Sequence, residues 1–229
     1  AVFDRLPMLL DTSLVHRVDE GRDELRFGML ETVREYALAR LAASDEASST
    51  RQRHSRYYTS LAEHVTSDVI GSVTGQWYAQ LEAESGNLRA AVDQALDDGE
   101  PGLRLAVALA RFWRTRGRFE MARATLELAI SRSSAAPSAD GVDVISYLGY
   151  LETLRGELTR GQKLGAEALA RAEKLGDLGR LAYAQGYFGV TLHLSGSETA
   201  CSMLEAAVAT ARREHNARSL SAALVLVGH

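Results

Sequence analysis

An all-α architecture of stacked helix hairpins, preceded by a small unit that carries a β-hairpin, is what this sequence predicts. Three observations point to it. From Thr50 onward, apolar residues recur at helical spacing with no strand alternation. Glycine recurs with a fixed period: Gly117, Gly156 and Gly196 stand 39 and 40 residues apart, and the pairs Leu148-Gly149, Phe188-Gly189 and Val227-Gly228 stand 40 and 39 apart. Small residues come after each loop glycine at constant offsets, with Ala122, Gly161 and Cys201 five places on and Ala129, Ala168 and Val208 twelve places on. Two series sharing one period mark repeats whose small residues let paired helices cross closely.

Residues 1–29 differ from the rest. The runs Ser13 to Val18 and Leu25 to Phe27 flank the turn-like Asp19-Glu20-Gly21-Arg22 and read as a β-hairpin. A helix is expected next, over about 30–43, with Leu30, Val33, Ala37, Leu38 and Leu41 on one stripe. Further helices are expected at roughly 50–68, 74–97, 102–116, 119–133, 141–155, 159–175, 179–195, 198–214 and 217–229. Gly99, Gly117, Gly156, Gly176 and Gly196 fall where helices should end, and Ser131 to Asp140, with Pro137, is the longest loop. The expected division is 1–45 for the hairpin unit, 46–100 for a connecting helical segment, and 101–229 for repeats of which the last is truncated.

Composition narrows the class. The 229 residues are 46% hydrophobic and 24% charged, with net charge -4, 19 glycines, three prolines and one cysteine. That excludes collagen, a disulfide scaffold and a disordered chain. No apolar run approaches the ~18 residues of a membrane span, and a lone Cys201 fits a reducing cytoplasm. Ala1 and the uncapped last segment suggest a piece of a longer protein, whose final helix would expose Leu220, Leu224 and Val227.

Catalytic chemistry is not expected. There is no phosphate-binding G-x-x-x-x-G-K-[ST] loop, no H-E-x-x-H and no G-x-S-x-G, and the only lysines are Lys163 and Lys174. His54 and His64, ten apart, fall on different helix faces, so no metal site is expected. The shared-face pair Glu31 and Glu35, and Glu82 with Asp93, read as surface ion pairing. Phe112 and Trp113 read as core, Cys201 as a small core residue, and one of Tyr57 and Tyr58 as exposed.

A solenoid of helix hairpins lines its concave face with the first helix of each pair. Registering the repeats on Gly149 and Gly189, with Ala110 as the first equivalent, predicts that lining. The first pair offers Arg104, Arg111 and Arg114, the second Ser146, Tyr150 and Thr153, and the third Tyr183 and His193. Such a groove is cationic at one end and aromatic-polar at the other, suiting an acidic peptide segment or an anionic small molecule. The alternative is that the arginines are ordinary carboxylate-paired surface.

The large-apolar-then-glycine pair, the inter-helix Gly156-Glu157-Leu158 and the small residue near the second helix centre resemble tetratricopeptide repeats, with a longer period than that family's ~34 residues. Several motifs, taken in order, are similar to the end of the winged-helix subdomain and the adjoining helices of STAND-type regulatory ATPases. They are Leu10 to Val15, Arg26 to Ala37, His54-Ser55-Arg56-Tyr57-Tyr58, Leu81 to Ala91 and Phe112 to Gly117. Nearly the whole chain thus resembles the C-terminal region of bacterial transcriptional regulators of the LuxR and SARP kinds. Met29-Leu30-Glu31 stands where such ATPases often carry Met-His-Asp, and leucine offers no donor to a phosphate. The resemblance implies a cytoplasmic, non-catalytic sensor and protein-interaction region. It implies no cofactor in this piece, and ATP or ADP with Mg in an upstream ATPase module of the same chain. Implied partners are that module and a protein or small-molecule effector, with homo-oligomerisation open. Direct DNA contact is not expected, because the recognition helix would lie upstream of Ala1 and the piece is acidic. The alternative is a free-standing tetratricopeptide-type adaptor that binds peptide segments.

Overall fold

The structure, a computed structural model, describes residues 2–18, 25–67, 75–97, 99–133 and 136–214. It is helical apart from one two-stranded antiparallel hairpin, as the periodicity predicts. The chain divides into two compact units, residues 1–51 and 52–229. The expected wing turn at 19–22, the last helix at 217–229 and the third apolar-glycine pair at 227–228 lie outside the described residues.

In the first unit, α1 (Val2–Asp11) precedes β1 (His16–Val18), β2 (Arg26–Gly28) and α2 (Glu31–Ala42). Helix α1 is not legible from the pattern, because Pro7 lies inside it. Its C-terminus is closed by Ser13 at φ 59°, with Leu14 and Val15 donating backbone hydrogen bonds to the Leu9 carbonyl. The strands pair with His16 opposite Gly28 and Val18 opposite Arg26. Helix α2 departs from expectation. Val33, Ala37 and Leu41 are only half-buried, Leu30 and Leu38 are exposed, and no residue of the helix is fully buried. Glu31 pairs with Arg34 one turn on, at 2.9 Å.

The second unit contains α3 (Ala47–Ser67, entered at residue 52), α4 (Gly75–Ala83) and α5 (Ser85–Asp97). The expected single helix over 74–97 is broken at Glu84. Its carboxylate accepts from the Tyr58 hydroxyl at 2.9 Å and from Asn87 Nδ2 at 2.6 Å, which ties this junction to α3. Three hairpins come next: α6 (Glu100–Thr115) with α7 (Phe119–Arg132), α8 (Ala139–Leu154) with α9 (Leu158–Leu175), and α10 (Leu178–Leu194) with α11 (Ala200–Arg213).

The periodic glycines make one turn three times. Gly117, Gly156 and Gly196 have φ of 70°, 90° and 73°, a region that favours a residue without Cβ. Each donates to the carbonyl three residues back, and the residue after it donates to the carbonyl five back: Arg118 to Trp113, Glu157 to Glu152, and Ser197 to Leu192, at 2.8 to 2.9 Å. These paired bonds end the first helix of each hairpin with its last carbonyls satisfied.

Within the second hairpin, the small residues set the helix spacing. A Cβ on Gly149 would sit 3.1 Å from the Gly161 carbonyl oxygen, and one on Gly161 would sit 2.1 Å from Thr153 Oγ1 and 2.8 Å from the Gly149 oxygen. The third hairpin is out of phase. Ala122 and Gly161 are buried at the expected offset, whereas Cys201 is exposed and Ala200 is buried in its stead. Helices α7 and α9 begin two residues after their glycine and α11 begins four after, so the inward residues move to Ala200, Ala207 and Ala211 and leave Val208 half-buried.

First helices neighbour one another, α6 against α8 and α8 against α10, while the backbones of α7 and α9, and of α9 and α11, come close at few positions or none. The stack is therefore tight along its first helices. Helix α8 is enclosed on nearly every side. Phe112 and Trp113, each 2% exposed, anchor the main core with Leu88, Leu126, Leu148 and Leu151; burying Phe112 alone contributes roughly 2 kcal/mol. Charged groups bridge the first two hairpins away from that core. Glu152, fully buried, pairs with Arg155 at 2.9 Å and Arg160 at 3.3 Å, Arg155 reaches Glu120, and Arg160 reaches Glu127.

The crossing makes a paired prediction. Gly161→Ala should destabilise the protein by about 2 kcal/mol through overpacking, and adding Thr153→Ala should recover only part, because the Gly149 carbonyl still blocks the methyl. Gly86→Ala, on an exposed position of α5 with nothing within 4 Å, should stabilise by about 0.5–1 kcal/mol. Urea unfolding of the three variants checks both signs.

Candidate functional site

Helical spacing places three stripes side by side on α6, α8 and α10. On α6 they are Arg104, Arg111 and Arg114; on α8, Asp140, Asp143, Tyr147 and Tyr150; on α10, Arg180, Tyr183 and Tyr187. Residues three, four and seven apart share a helix face, and the stacked first helices bring these faces into contact.

One end is ionic. Arg104 meets Asp140 at 3.0 Å, and Arg180 meets Asp143 at 2.9 Å and Asp140 at 3.7 Å. The other end joins guanidinium to phenol. Arg111 Nη2 donates to the Tyr183 hydroxyl at 2.8 Å, and Arg114 Nε donates to the Tyr147 hydroxyl at 2.9 Å. The Arg111 guanidinium lies 5.6 and 5.9 Å from the Tyr147 and Tyr183 ring centroids, and that of Arg114 lies 5.9 Å from Tyr150, within cation–π range. The rings themselves cluster: Tyr183 and Tyr187 are 4.7 Å apart, Tyr150 and Tyr187 5.4 Å, and Tyr147 and Tyr187 5.6 Å in an edge-on pair.

Burial governs the protonation states. It raises the Tyr147 and Tyr183 hydroxyls above the ordinary phenol range, so both stay neutral despite the adjacent arginines. Burial also pushes the Asp143 carboxyl up to about 7; Arg180 and Arg111 draw it back, and Asp140 and Asp177 oppose them. The contact with Tyr183 outweighs burial at Arg111, which keeps its charge. Two buried polar atoms here have no hydrogen-bond partner among the described residues, Arg111 Nε and Asp143 Oδ1.

Of the residues that the sequence singles out, the structure brings together Arg104, Arg111, Arg114, Tyr150 and Tyr183. Thr153 is turned away from them. It is buried, donates to the Gly149 carbonyl at 2.9 Å and packs on Gly161 of α9. Ser146, seven residues earlier, is likewise buried and donates to the Val142 carbonyl at 2.7 Å. His193 is exposed in the last turn of α10, well past Tyr187. Sequence reasoning missed Tyr147, Tyr187, Asp140, Asp143 and Arg180. The signal was present: Tyr147 stands three residues before Tyr150, and Tyr187 stands four after Tyr183. Registering on the glycines favoured residues beside Gly149 over those one turn back.

Other candidates resolve into structure. His54 stacks on Tyr58 at 4.7 Å beside Glu84 and Asn87, and burial lowers its pKa, so this quartet ties α3 to the α4–α5 corner. Tyr57 is exposed and Tyr58 half-buried, as the sequence implies. Glu82 pairs with Arg116 and Arg118. Lys163 and Lys174 both lie on α9, so a nucleotide phosphate finds no lysine-bearing loop among the described residues. Those residues hold no group of three or more His, Cys, Asp or Glu side chains able to bind a metal, and no helix long and apolar enough to cross a membrane.

Asp143 makes a pH prediction. A carboxyl raised from 3.8 to about 7 binds its proton more tightly in the folded chain, so stability falls as pH rises from about 4 to 7. Asp143→Asn should remove that loss: its melting temperature should gain on the wild type across this window and level off above it. Parallel curves from pH 4.5 to 8 would show that Asp143 titrates normally.

No protein-family model matches the chain. Over 115 residues it is 37% identical to proteins of Mycobacterium tuberculosis and Mycobacterium bovis that carry the name putative HTH-type transcriptional regulator, covering 49% of this chain and 13% of theirs. The chain thus spans about an eighth of the length of those curated relatives. Its fold is similar to the crystal structure of BtubC (BKLC) from P. vanneervenii, with a TM-score of 0.51 at 18% identity over 84% of this chain and 85% of that one.

Proposed function

We propose that this chain is the non-catalytic sensing and interaction region of a transcription regulator. The inner face of α6, α8 and α10 takes up an effector or partner, and occupancy is relayed to an ATPase module elsewhere in the full-length protein, where ATP or ADP and Mg would bind. The observation that carries the reading is the arginine–tyrosine face: three consecutive first helices place charged and aromatic side chains side by side, with two buried polar atoms unpartnered. The similarity to HTH-type transcriptional regulators supports the regulatory class.

Transcript profiling in the native host tests this. A strain lacking the gene should show altered transcripts, restored by the wild-type gene. An Arg111→Glu/Arg114→Glu version that accumulates to the normal level should leave the deletion profile in place. Unchanged transcripts on deletion would favour the peptide-binding adaptor instead, and full restoration by the double variant would move sensing off this face.

A further inference from the structure

The two ends of the inner face are balanced differently. Arg104 and Arg180 each meet a carboxylate directly, whereas among the described residues Arg111 and Arg114 form no ion pair and Asp143 acts on Arg111 only from further off. Each of these two spends one N–H on a phenol oxygen. Because that oxygen accepts from a guanidinium, the tyrosine's own O–H is left as a donor. The remaining Nη groups of Arg111 and Arg114 have no protein acceptor among the described residues, and Arg111 Nε is buried without one. Buried polar groups rarely stay unpaired. This end is therefore rich in donors and positive charge, and among the described residues the acidic group that acts on Arg111 is the Asp143 carboxyl of the ionic end.

Beside the guanidiniums stand the half-buried rings of Tyr150 and Tyr187, centroids 5.4 Å apart. A guanidinium fork matches the two oxygens of a carboxylate or phosphate and binds them more strongly than a neutral acceptor. An extended acidic segment crossing the face would run onto Asp140 and Asp143 at the ionic end, so the acceptor must be short. We infer that Arg111 and Arg114 form the binding site of a small organic oxyanion, a carboxylate or phosphate monoester, whose flat or apolar body rests on Tyr150 and Tyr187. The inference rests on the reading that this face is the binding face, and it names the ligand's chemistry.

The test uses the purified chain with benzoate, phenyl phosphate, inorganic phosphate, benzyl alcohol and a ten-residue polyglutamate peptide as probes. Binding is read from the arginine Nε–H signals of Arg111 and Arg114 in nitrogen-15 NMR. Benzoate or phenyl phosphate should shift both signals saturably, and which of the two binds tighter separates carboxylate from phosphate. Inorganic phosphate should bind more weakly, for want of the ring contact, and benzyl alcohol should shift neither signal. Arg114→Gln should weaken binding at least tenfold, and Tyr187→Leu severalfold, with melting temperatures showing that both fold. Arg111→Lys serves where Arg111→Gln does not fold, and should also weaken binding, because an ammonium cannot make the fork. No shift with either aromatic anion, equal binding by Arg114→Gln, or binding of polyglutamate alone overturns the inference. Probe binding with a wild-type transcript profile for the double variant would retain the site and discard the regulatory reading; the converse would retain that reading and discard the ligand class.

Discussion

Everything on the inner face depends on how closely α8 and α9 cross. Gly149 and Gly161 leave no room for a side chain between the two backbones, and Thr153 caps the contact by returning its hydroxyl to its own helix. That proximity seats α8 deep enough to touch α6 on one side and α10 on the other. Only then do side chains from three separate hairpins reach each other: Arg111 of α6 meets Tyr183 of α10, 72 positions on in sequence. A methyl group at the crossing would disturb a contact that contains no glycine at all.

The polar layer that results is a consequence of enclosure. A guanidinium removed from water needs partners on both its edge and its face. Tyrosine supplies both, a hydroxyl at the rim and a ring beneath, without the repulsion or desolvation that a second carboxylate would add beside Asp140 and Asp143. Asp143 shows the cost of the alternative, since its enclosure favours the proton even with Arg180 at 2.9 Å. The face thus separates into an end where arginines meet carboxylates and an end where they meet phenols.

Much of this was legible in the sequence, and the reasons for the rest are specific. Glycine periodicity located the hairpin turns because only residues tolerating positive φ close these helices, and a three-fold recurrence is hard to mistake. The arginine stripe came from spacings of seven and three. Thr153 was misjudged because a threonine beside a groove and a threonine bonded to its own helix look identical in sequence; packing decides. Cys201 was misplaced because the offset rule assumes a constant turn length, and the third turn is longer. The α4–α5 break falls at Glu84, which meets Tyr58 26 residues away in sequence, a contact that no local pattern encodes. Helix α2 has a stripe of apolar residues, yet among the described residues of 1–51 nothing buries it fully, so periodicity alone overstated its core.

The glycine-closed turns distribute stiffness unevenly along the stack. Each hairpin is locked at its tip by two backbone hydrogen bonds and, in the second, along its length by a backbone-to-backbone crossing. Between the first and second hairpins the apolar core is continuous, Trp113 and Leu126 sharing it with Leu148 and Leu151, and Arg155 and Arg160 reach across to Glu120 and Glu127. The turns thus fix each hairpin by bonds that do not depend on its neighbours, while the packing between hairpins rests on side chains.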